Sequence, residues 1–405
     1  MKKDEIKIFY LLSFLGGLHF NLVAPLFVIF GLSLGFTIAK VGVLFGASRL
    51  VSLIFEVPTG MFADQYGRKK SILLTYFLTI FSSLIYFFSS NFYVLLIGSV
   101  ISGLALTFMS GAFEALAVDS LGLAADDNLR NKFFVRLGIL STIGFIAGGF
   151  MSGLIAYFDL RYIWLAQSVV SLVALIIGWQ FIKEKDFCVQ KFKRDHFGET
   201  FFNKVKEPAV LIIKNKAIFL MLIVSVFISL AGAIYVIDWP VIFKDILSIP
   251  VYYFGAISSV AGIFFLVGSL IFEKFSIKRG TIKVLATSLI LMGIFYVIFG
   301  FSKSIFLSLM IFMALDFFNG GFSPLFYSLF NKFIPSPQRA TILSFYSLIN
   351  SGSSGLGEIL GGWLIIAFTA PLAMIFVSAL VLVSSLFLFR IGHKIDYKPS
   401  INASL

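Results

Sequence analysis

Six of the polar residues inside the long apolar runs of this chain have the chemistry of acids, bases and hydrogen-bonding groups. They are His19, Asn21, Arg49, Asp316, Asn319 and Glu358. An ionisable group in hydrocarbon costs several kcal/mol or more unless it faces a cavity or a partner, so each marks a functional position by default. Asp316 and Glu358 are carboxyls that could take up and release a proton. A buried ion pair with Arg49, or a bond to a backbone group, is the structural alternative for each. His19 could equally be a neutral imidazole bonded to a neighbouring helix. Glu56, Glu114, Asp119 and Arg136 lie nearer the ends of their runs and would form a charged rim. Covalent and metal chemistry find no support: no H-E-x-x-H, G-x-S-x-G or phosphate-loop pattern occurs. Cys188 is the single cysteine, and His19, His196 and His393 are far apart, so the sequence calls for no metal and no cofactor.

The elements that would hold these groups are membrane spans. Of 405 residues, 59% are apolar and only 13% charged, against roughly 25% charged in soluble domains. The mean hydropathy is +1.00. A helix rises about 1.5 Å per residue, so roughly 20 apolar residues cross the hydrocarbon. Apolar runs at 7–31, 40–61, 71–90, 92–118, 133–157, 161–182, 217–240, 250–273, 282–300, 304–330, 341–366 and 368–390 predict an all-α membrane protein of twelve transmembrane helices. The first run is too long for a secretory signal and has no small-residue cleavage site, so it reads as a retained span.

Orientation follows from Lys and Arg. With the N-terminus inside, 27 basic residues fall in inner segments and four (Lys40, Arg161, Lys244, Lys303) in outer ones. Both termini are expected in the cytoplasm. The net charge of +12 is thereby explained by topology, with no nucleic-acid partner. The expected domains are a six-helix half at 1–182, a cytoplasmic linker with an amphipathic helix at 183–216, a second six-helix half at 217–391 and a tail at 392–405. The fifth and eleventh spans both carry G-x-x-x-G-G, as Gly144, Gly148, Gly149 and Gly357, Gly361, Gly362. Small residues at this spacing let helix backbones approach closely, and the matching places suggest a parallel repeat.

The loop after the second span reads Gly60-Met61-Phe62-Ala63-Asp64-Gln65-Tyr66-Gly67-Arg68-Lys69-Lys70. It resembles the signature loop of the major facilitator superfamily, G-x-x-x-D-x-x-G-R-K/R-K/R, at Gly60, Asp64, Gly67, Arg68 and Lys69. Gly60 would allow close helix contact, Gly67 a turn with positive φ, and Asp64 would cap a helix or pair with Arg68. In the second half, Glu273, Lys278, Arg279 and Gly280 look like a degraded copy. The glycines of the fifth span are similar to the motif of drug–proton antiporters, with Phe145 where that group has proline and Leu140 where it has glycine.

The resemblance implies a cavity lined by the first, fourth, seventh and tenth spans, hence by His19, Asn21, Asp316 and Asn319. It implies a conformational gate of Gly60, Asp64, Gly67, Arg68 and Lys69 together with Glu56, Glu114, Asp119 and Arg136. It further implies a multi-pass transporter of the cell (inner) membrane, working as a monomer on a small-molecule substrate with protons as coupling ion. Acidic groups outnumber basic ones at mid-depth, favouring a cationic or neutral substrate, or a proton, over an anionic one, and the antiporter-like motif favours proton-coupled export of a small lipophilic or cationic compound. Asp316 is the first choice of proton-carrying carboxylate and Glu358 the second. Uptake of a nutrient or metabolite is the alternative. A membrane enzyme or a sensor is the minor one, because no clustered nucleophile and no soluble output domain is present.

Overall fold

The structure is a computed structural model that describes residues 2–123, 126–184, 210–212, 215–335 and 338–395. The predicted amphipathic helix of the linker and the tail beyond residue 395 lie outside the described residues.

Among the described residues the long apolar runs are helical. The first span is α1 (Lys2–Val23) and α2 (Phe27–Ser33), separated by a turn at Ala24-Pro25-Leu26. Next come α3 (Ile38–Tyr66) and α4 (Arg68–Phe88). The fourth span is α5 (Phe92–Met109) and α6 (Ala112–Leu121), broken at Ser110-Gly111. The fifth and sixth are α7 (Asp127–Phe158) and α8 (Tyr162–Phe181). The seventh is α9 (Lys216–Val241), continued by a π-turn over Ile242–Ile246. Then follow α10 (Tyr253–Arg279), α11 (Thr281–Phe301), α12 (Ile305–Phe333), α13 (Arg339–Ala367) and α14 (Ala370–Ile395).

Short polar residues start many of these helices by accepting from orphan amide groups. Asn91 accepts from the Tyr93 and Val94 amides, Asp126 from those of Asn128 and Leu129, and Asn215 from those of Ala217 and Ile218. Eleven helical segments among the described residues are long and apolar enough to cross a bilayer. The twelfth, α13, is as long but carries Asn350, Ser351, Ser353, Ser354 and Glu358 through its middle. The outward faces are apolar, as a lipid surround requires: Phe88, Tyr93, Phe158 and Phe306 each leave more than two thirds of their surface exposed.

Contacts divide the chain into two compact units, Met1–His196 with Phe243–Gly262, and Phe197–Ile242 with Ile263–Leu405. Inside the first unit α1 packs on α7 and α8, and α4 on α5 and α8. Inside the second, α9 packs on α13 and α14, and α11 on α12 and α14. These are the same pairings six spans later, as a parallel repeat requires.

The glycine motifs carry that repeat physically. A Cβ on Gly144 would meet the Phe14 carbonyl of α1, and one on Gly148 the Leu18 carbonyl. In the second unit a Cβ on Gly357 would lie 2.8 Å from the Leu230 carbonyl of α9, and one on Gly361 3.1 Å from Cα of Ile234. Gly362 is also buried. Backbones touch here because no side chain separates them.

Gly149 serves a different contact. It faces the start of α10, where its Cβ position is taken by Ser259, Asn21 and the Gly255 carbonyl.

Candidate functional site

Each unit holds its own cluster of polar groups among its helices, part of it buried. In the first, a cavity of about 130 Å³ is lined by His19, Arg49, Ser48, Ser102, Tyr86, Trp164 and Gln167, among others. The break at Ala24-Pro25-Leu26 lies beside it, and Ala24 joins the lining. Tyr86 stacks on Trp164 with centroids 4.1 Å apart, and Phe27 packs on the Trp164 edge. The Ser83 hydroxyl donates to Gln167 Oε1 at 2.7 Å, and Gln167 Nε2 donates to the His19 carbonyl at 3.3 Å. His19 Nε2 is buried with no hydrogen-bond partner among the described residues. The cavity therefore offers an imidazole nitrogen, a guanidinium and hydroxyls against an aromatic wall. Gln167 and Trp164 escaped the sequence reading, although an amide within the apolar run of α8 is the kind of signal that could have found them.

Asn21 lies elsewhere. It is fully buried, its amide nitrogen donates to the Phe145 carbonyl at 2.9 Å, and its Oδ1 accepts from Ser258 at 3.0 Å. Both functions of the amide tie α1 to α7 and to the start of α10, so Asn21 does not line that cavity.

The second unit's cluster centres on Tyr235 of α9. Its ring packs edge-on against Tyr296 (5.1 Å) and Phe299 (5.9 Å), and Phe312 packs on Trp239 (5.1 Å). The Asp316 and Asp238 carboxyls and the Tyr296 hydroxyl all lie within electrostatic reach of the Tyr235 hydroxyl. Asn319 hydrogen-bonds Tyr296. Asp238 is wholly buried, and neither of its carboxyl oxygens, nor the Tyr235 hydroxyl, finds a hydrogen-bond partner among the described residues.

The predicted span 217–240 places Asp238 two residues from its end. The helix instead runs on through Pro240 and the π-turn to Ile246, which leaves Asp238 enclosed. Glu358 is also buried, on α13 next to the Gly357 contact with α9. Arg49 belongs to the first unit, and Asp316, Asn319 and Glu358 to the second.

The Gly67 loop has a definite geometry. Gly67 has φ 104°, as the tight turn demanded, and Gly280 repeats it at φ 84° at the start of α11. Arg68 pairs with Asp119 at the end of α6, not with Asp64. Asp64 is exposed and makes no ion pair or hydrogen bond among the described residues. A Cβ on Gly60 would meet nothing within 4 Å, so close helix contact is not the reason for that glycine.

The partner the sequence reading missed is Glu184, just past α8. Its carboxylate accepts from the Arg68 amide at 2.8 Å and the Lys69 amide at 3.2 Å, capping α4 in place of a local side chain. Lys69 Nζ donates to the Trp179 carbonyl at 2.8 Å, a second tie to α8. Glu56 accepts from Ser110 at 2.5 Å, where the fourth span breaks. Glu114 and Arg136 are exposed and join no ion pair among the described residues.

Removing the cap has a calculable consequence. Glu184→Ala strips a charged acceptor from two helix-start amides, which costs about 1–2 kcal/mol. Thermal unfolding of the purified variant is expected to fall by a few degrees, while Asp64→Ala leaves it unchanged.

Eleven helices among the described residues that can cross a bilayer, with α13 as a further long one, and the same helix pairings in both units define a multi-pass α-helical membrane protein. The sequence model of the Major Facilitator Superfamily matches residues 9–276 and 218–403, and the chain belongs to that family of transporters.

It is 27% identical to the uncharacterized MFS-type transporter YxaM of Bacillus subtilis (strain 168), over 98% of this chain and 99% of that one. It is 29% identical to the multi-drug resistance efflux pump PmrA of Streptococcus pneumoniae, over 52% of each chain. Among solved structures, the nucleoside transporter NupG superposes with a TM-score of 0.78 at 15% identity, covering 98% of this chain and all of that one. A D-xylose-proton symporter gives 0.71 at 15% identity, covering 95% of this chain and 98% of that one. At these identities the structures speak for the fold alone.

Proposed function

We propose that this protein exports a small lipophilic or cationic compound in exchange for protons, by alternating access between its two halves, 1–182 and 217–391. The observation that carries the reading is the pair of carboxyls, Asp238 and Asp316, set around Tyr235 in an aromatic surround. Among the described residues neither carboxyl has a cationic partner, and a carboxyl so placed in an apolar surround gains from either a proton or an organic cation, so the two compete. Aromatic faces such as Tyr235, Trp239 and Phe312 suit a lipophilic cation. The likeness of half the chain to a multi-drug efflux pump supports the direction. In this reading the Arg68–Asp119 pair and the Glu184 cap hold the loop at the cytoplasmic rim, and breaking them accompanies the switch.

The test is ethidium accumulation in cells lacking their own exporters. Expression of the protein is expected to lower accumulation several-fold, and an uncoupler to abolish the difference. Unchanged dye levels together with gain of growth on a single nutrient would favour uptake instead.

A further inference from the structure

The second unit contains a feature that the transport reading does not use. A groove of about 790 Å³ opens between the end of α10, the start of α11 and the middle of α12. This is the volume range of small-ligand sites. Its walls are Ile271, Phe272, Phe275, Leu291, Phe317 and Phe318, and its mouth carries Lys278, Arg279 and Lys283. Phe272 is buried, and Phe317 and Phe318 pack edge-on against it at 5.6 and 5.8 Å, so the floor is rigid and aromatic. At the other end, Phe275 is about half exposed and Arg279 lies over its ring.

The three cations form no ion pair and no hydrogen bond among the described residues. From Lys283 to Leu291 the groove runs along α11 for about 12 Å at the helical rise. Cations at one end and a long apolar trough at the other match one kind of molecule: an anionic head joined to a hydrocarbon chain.

We infer that this groove binds an anionic phospholipid, its phosphate between Lys278, Arg279 and Lys283 and an acyl chain along Phe275, Phe272 and Leu291. The site lies beside the Gly280 turn, within the basic segments that the charge distribution assigns to the inner leaflet. Basic side chains at such a surface each add attraction for anionic lipid, and the closed aromatic floor converts that general attraction into a defined seat. A bare phosphate would satisfy the cations but leave the trough unfilled. A neutral or zwitterionic lipid would fill the trough but lack the net negative charge that the three cations select.

The experiment is native mass spectrometry of the purified full-length protein, offered equal amounts of phosphatidylglycerol and phosphatidylethanolamine. The wild type is expected to keep phosphatidylglycerol by at least about tenfold over phosphatidylethanolamine. Replacing Lys278, Arg279 and Lys283 together with Gln is expected to erase that preference. Thr287→Trp leaves every charge in place, sits at an exposed lining position and should reduce retention by obstructing the trough. A large excess of inorganic phosphate should not displace the lipid. Equal retention by wild type and the triple variant would overturn the assignment, as would full retention by Thr287→Trp or displacement by phosphate alone. Matching unfolding temperatures in lipid-free detergent establish that each variant is folded.

Discussion

Asp316→Asn is expected to abolish net proton-driven transport while leaving a folded protein. The substitution keeps the size and hydrogen-bonding capacity of the side chain and removes only its ability to exchange a proton. In proteoliposomes with an imposed pH gradient, substrate flux should fall roughly a hundredfold, the scale on which losing an essential proton-transfer group acts. Exchange of labelled for unlabelled substrate, which moves no net proton, should survive. That split separates a proton carrier from a residue that merely supports packing, because a packing role would depress both rates together. Asp238→Asn should reduce the gradient-driven rate as well, since the two carboxyls share the surroundings of Tyr235. If Asp316→Asn retains both the flux and its response to the gradient, the proton role assigned to Asp316 is wrong.

The second large effect concerns assembly of the first unit. Gly144→Leu should prevent α1 and α7 from closing. The two helices approach through reciprocal glycines: a Cβ on Gly144 would strike the Phe14 carbonyl, and one on Gly17 would strike the Ser141 carbonyl. Backbone cannot yield as a flexible side chain can, so the helices must separate and lose packing along their length. Overpacking of this kind costs on the order of 3 kcal/mol or more, which for a unit of this size is roughly 10 °C of thermal stability. Gly138→Leu on the same helix is the control: a Cβ there meets nothing within 4 Å, and little change is expected. Equal unfolding temperatures for the two variants would show that the close approach contributes nothing.

Much of this architecture is legible in the sequence because lipid imposes simple rules. Run length set the spans, and the paired G-x-x-x-G-G motifs pointed to the helix contacts that repeat in both units. Gly67 announced its positive φ because its neighbours left no other explanation for a glycine between two long helices.

The side-chain partnerships were harder to read, and for definite reasons. Asp64 and Arg68 are four residues apart, a spacing that suggests a pair, but the turn at Gly67 redirects the chain and Arg68 meets Asp119 instead. Glu184 caps α4 from more than a hundred residues away, a relation that only the packing of α8 against α4 creates. The predicted span closes at residue 240, two past Asp238, whereas the helix passes through Pro240 and the π-turn carries it on to Ile246. Asn21 looked like a pocket group because its depth was right. Depth along a helix does not fix the face, and its face meets α7 and α10.

Proton countertransport itself is tested most directly by following protons when substrate is the only driving force. Purified protein is placed in vesicles that enclose a pH indicator, with no pH gradient and no membrane potential, and ethidium is added outside. Antiport predicts that ethidium entering down its gradient drives protons outward, so the lumen turns alkaline at a rate that scales with the dye entering, and that Asp316→Asn removes this signal. Ethidium entry with an unchanged lumen, or a lumen that turns acidic as the dye enters, would contradict it.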